Sequence, residues 1–130
     1  MNMCSTKFDS LIAEFPYEAD AVSRLANLVD VEKSTHIREY TPARMYHLIQ
    51  PSNFRVLIQM LTSATELGLL KKVVRVMSPT SKLAGIAEFD SALEIPLTLF
   101  DVRTGLDVEV TTDQIRLIYQ ILPDRECSHA

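Results

Sequence analysis

Two tetrads in this 130-residue chain carry small polar residues three positions apart. They are Ser78-Pro79-Thr80-Ser81 and Asp101-Val102-Arg103-Thr104, the second followed by Gly105. Each lies between β-prone runs and is expected at the tip of a hairpin. Paired side chains at that spacing on two such tips have the geometry of a four-ligand metal site. The residue types oppose that chemistry. Zinc takes thiolates, neutral imidazoles or, less often, carboxylates, whereas serine and threonine hydroxyls stay protonated near neutral pH. A single carboxylate, Asp101, cannot hold a structural ion. Both tetrads are also ordinary turn sequences. No metal is expected here, so the region must be held by apolar burial, with Ile86, Phe89, Leu93, Ile95, Leu97, Leu99, Phe100, Val108, Val110, Ile115, Leu117 and Tyr119 as the candidate core.

Other reactive constellations are missing from the sequence. Glycines occur only at 68, 85 and 105, which leaves no phosphate-binding loop, and there is no GxSxG, HExxH or close Cys–His pairing. His36 falls in a polar stretch, His129 near the end of the chain, and His47 on a short helix as a surface or boundary residue. Glu88, Asp90, Glu94, Asp101, Asp107, Glu109 and Asp113 are spread over several turns and strand faces, as in a solvated acidic rim. The two cysteines, Cys4 and Cys127, lie far apart and do not make a disulfide framework. The expectation is a protein that is not an enzyme and has no cofactor and no small-molecule substrate.

Charge is distributed unevenly. Residues 1–40 carry four basic and seven acidic side chains, and residues 78–130 carry four and nine. Between them, Arg44, Arg55, Lys71, Lys72 and Arg75 stand against Glu66 alone. A basic middle between acidic flanks marks a binding surface for nucleic acid or for a protein. Arg44, Arg55, Gln59, Lys71, Lys72 and Arg75 are the candidate binding residues. Val56, Met60 and Leu70 either add apolar surface beside them or belong to the core.

The elements that must position these residues follow from periodicity. Phe8, Leu11, Ile12 and Phe15 share one helical face, ended by Pro16. Glu18–Val29 repeats the pattern with Ala21, Val22, Leu25, Leu28 and Val29. The next ten residues form a loop or short edge strand. Thr41 fits an N-cap and Pro42 the first helical position, where a missing N–H would be unpaired anyway. That helix runs to Ile49, and Gln50-Pro51-Ser52 make a turn. A longer helix follows over residues 53–67, with Phe54, Leu57, Ile58, Leu61 and Ala64 facing inward. Gly68 suits a left-handed stop. Period two then takes over in KKVVRVM, GIAEF, LTLFDV and LDVEV. Alternation over 115–122 favours a strand, although helical spacing would gather Ile115, Ile118, Tyr119 and Leu122.

Short helix, tight turn, longer helix, glycine stop, then a strand entering a hairpin: over about residues 18–77 this order resembles the winged helix-turn-helix superfamily, with ELGLLKKVVRV similar to its helix-to-wing junction. The layout VRVMSPTSKLAGIAEF, LTLFDVRTGLDVEV, IRLIYQI resembles a zinc ribbon whose cysteine pairs are replaced by Ser78 and Ser81, and by Asp101 and Thr104. A generic β extension of the winged helix fits the same residues. The resemblance implies an α+β fold, with a helical winged-helix module over 1–77 and a small antiparallel β-rich extension over 78–130 packed on it. It implies one of two functions. The first is a partner-binding adaptor or regulatory subunit, self-association included, of a kind similar to accessory modules in bacterial conflict or defence systems. The second is a DNA-binding transcriptional regulator using the 53–67 helix and the 71–77 strand.

Composition sets the frame. With 47% hydrophobic and 23% charged residues, the chain reads as an ordinary globular protein. No apolar run approaches the roughly 18–20 residues that span a bilayer. The start shows no basic region followed by an apolar stretch. A cytoplasmic location without membrane contact is expected.

Overall fold

A computed structural model describes residues 3–31, 37–79 and 84–121, without the side chains of 3–5, 30 and 31. His36, Ser81, Leu122, Cys127 and His129 lie outside the described residues, as does the side chain of Cys4. The fold is α+β: four helices in the N-terminal half and antiparallel strands after them. The chain divides into two compact units, Met1–Lys71 with Tyr119–Ala130, and Lys72–Ile118. The expected boundary between 77 and 78 falls within the second of these.

The first unit holds the helices. On α1 (Met3–Glu14) Phe8 and Leu11 are buried, one turn apart, and Ile12 is half-buried, as is Phe15 just after the helix. Pro16 cannot continue the helical bonding and opens a 3-10 turn over Pro16–Glu18. On α2 (Ala19–Val31) Ala21, Val22, Leu25 and Val29 form the buried stripe. α3 (Pro42–Ile49) and α4 (Phe54–Glu66) follow, the latter burying Leu57, Met60, Leu61 and Ala64. Each large side chain so buried contributes roughly 1.5–3 kcal/mol before conformational entropy is set against it. Gly68, with φ +80, lets the chain leave α4, and Leu69 N–H returns to Ala64 O at 2.9 Å. A short strand, β1 (Arg38–Tyr40), runs antiparallel to the end of the last strand, with Arg38 opposite Ile121 and Tyr40 opposite Tyr119. Gln120 Nε2 donates to Glu39 Oε2 at 2.8 Å across this pairing.

Phe54 departs from its expected inward position and is 48% exposed. The core stripe of α4 starts at Leu57, and Phe54, at the first helical position, lies instead against Tyr46 of α3, with ring centroids 5.9 Å apart. Met60 and Leu70 are buried and belong to the core, while Val56 is half-buried.

The second unit is built from strands. In β2 (Lys71–Met77) Val73, Val74 and Val76 are buried, so both faces of the strand are covered. β3 (Gly85–Phe89) pairs antiparallel with it, Val74 opposite Phe89 and Arg75 opposite Glu88, with an irregularity between Val76 and Met77. β4 (Thr98–Asp101) and β5 (Leu106–Glu109) form a separate two-stranded antiparallel sheet, with Leu99 opposite Val108 and Asp101 opposite Leu106. The last strand is β6 (Ile115–Ile121), which decides the helix-or-strand alternative in favour of strand. The four-stranded sheet has the order β1-β6-β2-β3. Among the described residues, no helix is long and apolar enough to cross a membrane.

Candidate functional site

The turn between α3 and α4 is fixed from both sides. Thr41 Oγ1 accepts from Arg44 N at 3.2 Å and Asn53 Oδ1 from Val56 N at 2.9 Å, capping the two helices. Gln50 closes α3 in the left-handed conformation, φ 55, while Arg24 Nη1 donates to Ile49 O at 3.0 Å. The Ser52 N–H points to both carboxylate oxygens of Glu18 at 3.3 Å. This frame presents a chain of rings and charge. His47 meets Tyr46 edge-on with centroids 6.3 Å apart, Tyr46 meets Phe54, and exposed Arg55 follows Phe54 in sequence.

The six candidate binding residues are distributed over both units. Arg44, Arg55, Gln59 and Lys71 are exposed in the first. Gln59 lines an open groove of about 490 Å³ with Glu14, Phe15, Ile58, Thr62, Ser63 and Glu66. Ser63 Oγ donates to Glu14 Oε2 at 2.9 Å, so the outward face of α4 begins with Arg55 and ends among carboxylates. Lys72 is exposed in the second unit. Arg75 is half-buried there and committed to Glu88, its neighbour across the strands, through Nε at 2.6 Å and Nη2 at 2.5 Å. Its stem lies over Gly85, where a Cβ would come within 2.8 Å of Arg75 Cδ.

The two polar tetrads do meet in part. Ser78 Oγ donates to Asp101 Oδ2 at 3.3 Å, and both residues are buried, Asp101 to 0% exposure. Asp101 Oδ1 accepts from Arg103 N at 2.9 Å, and its carbonyl accepts from Gly105 N at 2.8 Å and Thr104 N at 3.2 Å. Gly105 has φ +73, which this tight turn requires. Ser78 N donates to Ala84 O at 2.7 Å, and the buried Gln114 donates from Nε2 to Met77 O at 3.1 Å. The arrangement is a polar clasp that supplies partners to buried groups. Among the described residues no three His, Cys, Asp or Glu side chains converge as a metal site would require.

The predicted β-rich core is the largest correction. Leu93 is 96% exposed, Leu97 87% and Phe100 57%. Of the twelve candidates Tyr119 alone is buried, and Ile86, Phe89, Ile95, Leu99, Val108, Val110, Ile115 and Leu117 are half-buried. A two-stranded sheet offers little to cover its own side chains. Strand alternation sets Phe100 on the same face as Asp107, opposite the face of Leu99 and Val108. Two more exposed apolar residues, Val102 and Leu106, escaped the sequence reading. Val102 stands between Asp101 and Arg103, and Leu106 between Gly105 and Asp107, at the polar tip of the hairpin. Of the seven acidic residues in this region, all but Asp101 are exposed.

The chain matches no protein-family model, no curated protein and no solved structure. Its function is read from its own surfaces.

Proposed function

We propose that the chain is a non-enzymatic protein-interaction module, an adaptor or regulatory subunit on a winged-helix-type framework, working in the cytoplasm. The observation that carries this reading is the exposed apolar set Leu93, Leu97, Phe100, Val102 and Leu106. Single exposed apolar residues are normal; here five fall within one short stretch, on both faces of the β4–β5 hairpin and just before it, and a partner that covers the hairpin would remove them from water. DNA binding is the second reading, supported by exposed Arg44 and Arg55 on two helices joined by a tight turn. It is weakened by Glu66 on α4 and Glu14 of α1, which line one groove beside that helix, and by the engagement of Arg75 with Glu88.

Two measurements separate the readings. The chain carrying Leu97→Ser and Phe100→Ser should lose proteins that the unaltered chain retains on an affinity support. A fluorescence anisotropy titration with duplex DNA should show no binding that Arg55→Ala, Lys71→Ala and Lys72→Ala abolish. Binding to duplex that those changes abolish and that falls steeply with salt would replace the adaptor with the regulator.

A further inference from the structure

The exposed positions of α4 form one stripe. Arg55, Gln59, Thr62 and Glu66 follow one another at steps of four, three and four residues, so they share one face of the helix, and all are exposed. The two charges stand at opposite ends, Arg55 in the first turn and Glu66 in the last, about 16 Å apart along the axis. Neither placement suits the helix itself. A helix favours an anion in its first turn and a cation in its last, and α4 has no acid in the first and no base in the last. Beside the stripe runs the open groove of about 490 Å³, where Phe15 and Ile58 are half-buried and Glu14 joins Glu66.

The stripe complements itself when reversed. With a second α4 turned end for end and both centred between Gln59 and Thr62, Arg55 faces the partner's Glu66 and Gln59 faces the partner's Thr62. The same two pairs recur on the other side of the centre. Each guanidinium then reaches a groove where Glu14 and Glu66 supply negative charge and Phe15 and Ile58 can cover its aliphatic stem. Each charge also answers the dipole of the partner's helix, the arginine at its C-terminal end and the glutamate at its N-terminal end. A parallel pair would set arginine on arginine and glutamate on glutamate, which is unfavourable.

We propose that the outward face of α4 is a dimerisation surface whose occupant is α4 of a second copy, packed antiparallel about a two-fold axis with Arg55 of each copy seated in the groove of the other. Charge complementarity selects this occupant. The stripe offers a cation and an anion at matched distances from its centre, whereas a nucleic-acid duplex carries one sign of charge and would meet Glu14 and Glu66 with repulsion. The pairing is isologous and closes at two copies. Its core is one helix and one groove per copy, at the small end of specific interfaces, so dimer and monomer exchange readily. The proposal stands on the first unit and does not depend on the hairpin as a docking surface.

The test uses the full chain, with circular dichroism to verify that each variant folds. Sedimentation velocity over a concentration series should show a monomer–dimer equilibrium and nothing larger. Arg55→Glu and Glu66→Arg should each weaken the dimer at least about tenfold, since every dimer contains the altered contact twice. The variant carrying both changes restores opposite charges across the contact and should dimerise about as well as the unaltered chain. The two single variants, mixed, should form a 1:1 pair tighter than either makes alone, because one then carries only acids on the stripe and the other only bases. Leu97→Ser with Phe100→Ser should leave the dimer intact. A monomer at every concentration overturns the proposal, as does a dimer that neither single change weakens, or a folded double variant that stays monomeric. Growth beyond a dimer overturns the closed two-fold pairing, and loss of the dimer in the Leu97 and Phe100 variant would move the contact to the hairpin.

Discussion

Ser78 and Asp101, 23 residues apart in sequence, are joined by a hydroxyl-to-carboxylate hydrogen bond of 3.3 Å in a buried setting. Each opens one of the two polar tetrads, so the turns approach each other as paired ligand positions would, with a hydrogen bond at the point of contact. Asp101 also fixes its own turn through Arg103 N and Gly105 N. Ser78→Ala should destabilise the fold by about 1–3 kcal/mol, because a buried carboxylate oxygen loses a donor. Asp101→Ala should cost more than Asp101→Asn, since the amide oxygen of asparagine can still accept from Arg103 N. Urea unfolding of the three variants checks the order; equal costs for Ala and Asn at 101 would remove the clasp from the account.

Gln50 should respond in the opposite direction. Among the described residues it alone carries positive φ without being glycine, a conformation that costs a side-chain-bearing residue about 1–2 kcal/mol. Glycine relieves that strain and gives back part of the gain through greater freedom of the unfolded chain. Gln50→Gly should therefore stabilise by about 0.5–1 kcal/mol, read as a higher urea midpoint with unchanged slope.

Alkaline stability should depend on Tyr119. Burial raises its phenol above the usual tyrosine value of 10.0. The unfolded chain then gives up this proton at lower pH than the folded one. The stabilising contribution is complete below about pH 10 and is lost as pH rises through the higher folded value. Tyr119→Phe should follow the unaltered chain at neutral pH to within about 1 kcal/mol and lose stability less steeply above about pH 10, in urea melts taken pH by pH.

Truncations in the two units should differ sharply. Leu57→Ala empties a fully buried site and should cost about 2–5 kcal/mol. Leu93→Ser and Leu97→Ser touch side chains that face solvent and should each change stability by less than about 0.5 kcal/mol. A large loss at Leu97 in thermal or urea unfolding would mean that this side chain is covered within the monomer.

The helical half was legible because local signals agreed with one another. Thr41, Pro42, Pro51 and Gly68 sit where cap, start, turn and stop chemistry place them, and the apolar spacing of α2 and α4 marks the buried faces. Phe54 misled because hydrophobicity at a helix's first position does not say whether a ring turns to the core or to a neighbouring ring. The β half was legible as strands and poorly legible as burial. Alternation tells which residues share a face, but not whether anything lies against that face, and for Leu97 and Phe100 little does. The spacing of Ser78 and Asp101 in two turns hints at their contact, but not at the burial that leaves one hydrogen-bonded to the other. Arg75 looked available as a cation because its strand partner, Glu88, is fixed by register, which composition does not reveal.

The closing partner of β1 is made late. Glu39 meets Gln120, 81 positions further along the sequence, and Tyr119 and Ile121 are buried members of the first unit. On a ribosome, the helices are synthesised well before the strand that completes them, and the edge of β1 waits unsatisfied in the meantime. Contacts so distant along the chain slow folding. A nascent chain stalled ahead of Tyr119 would have the four α-helices of the described residues and still lack the buried Tyr119 and Ile121.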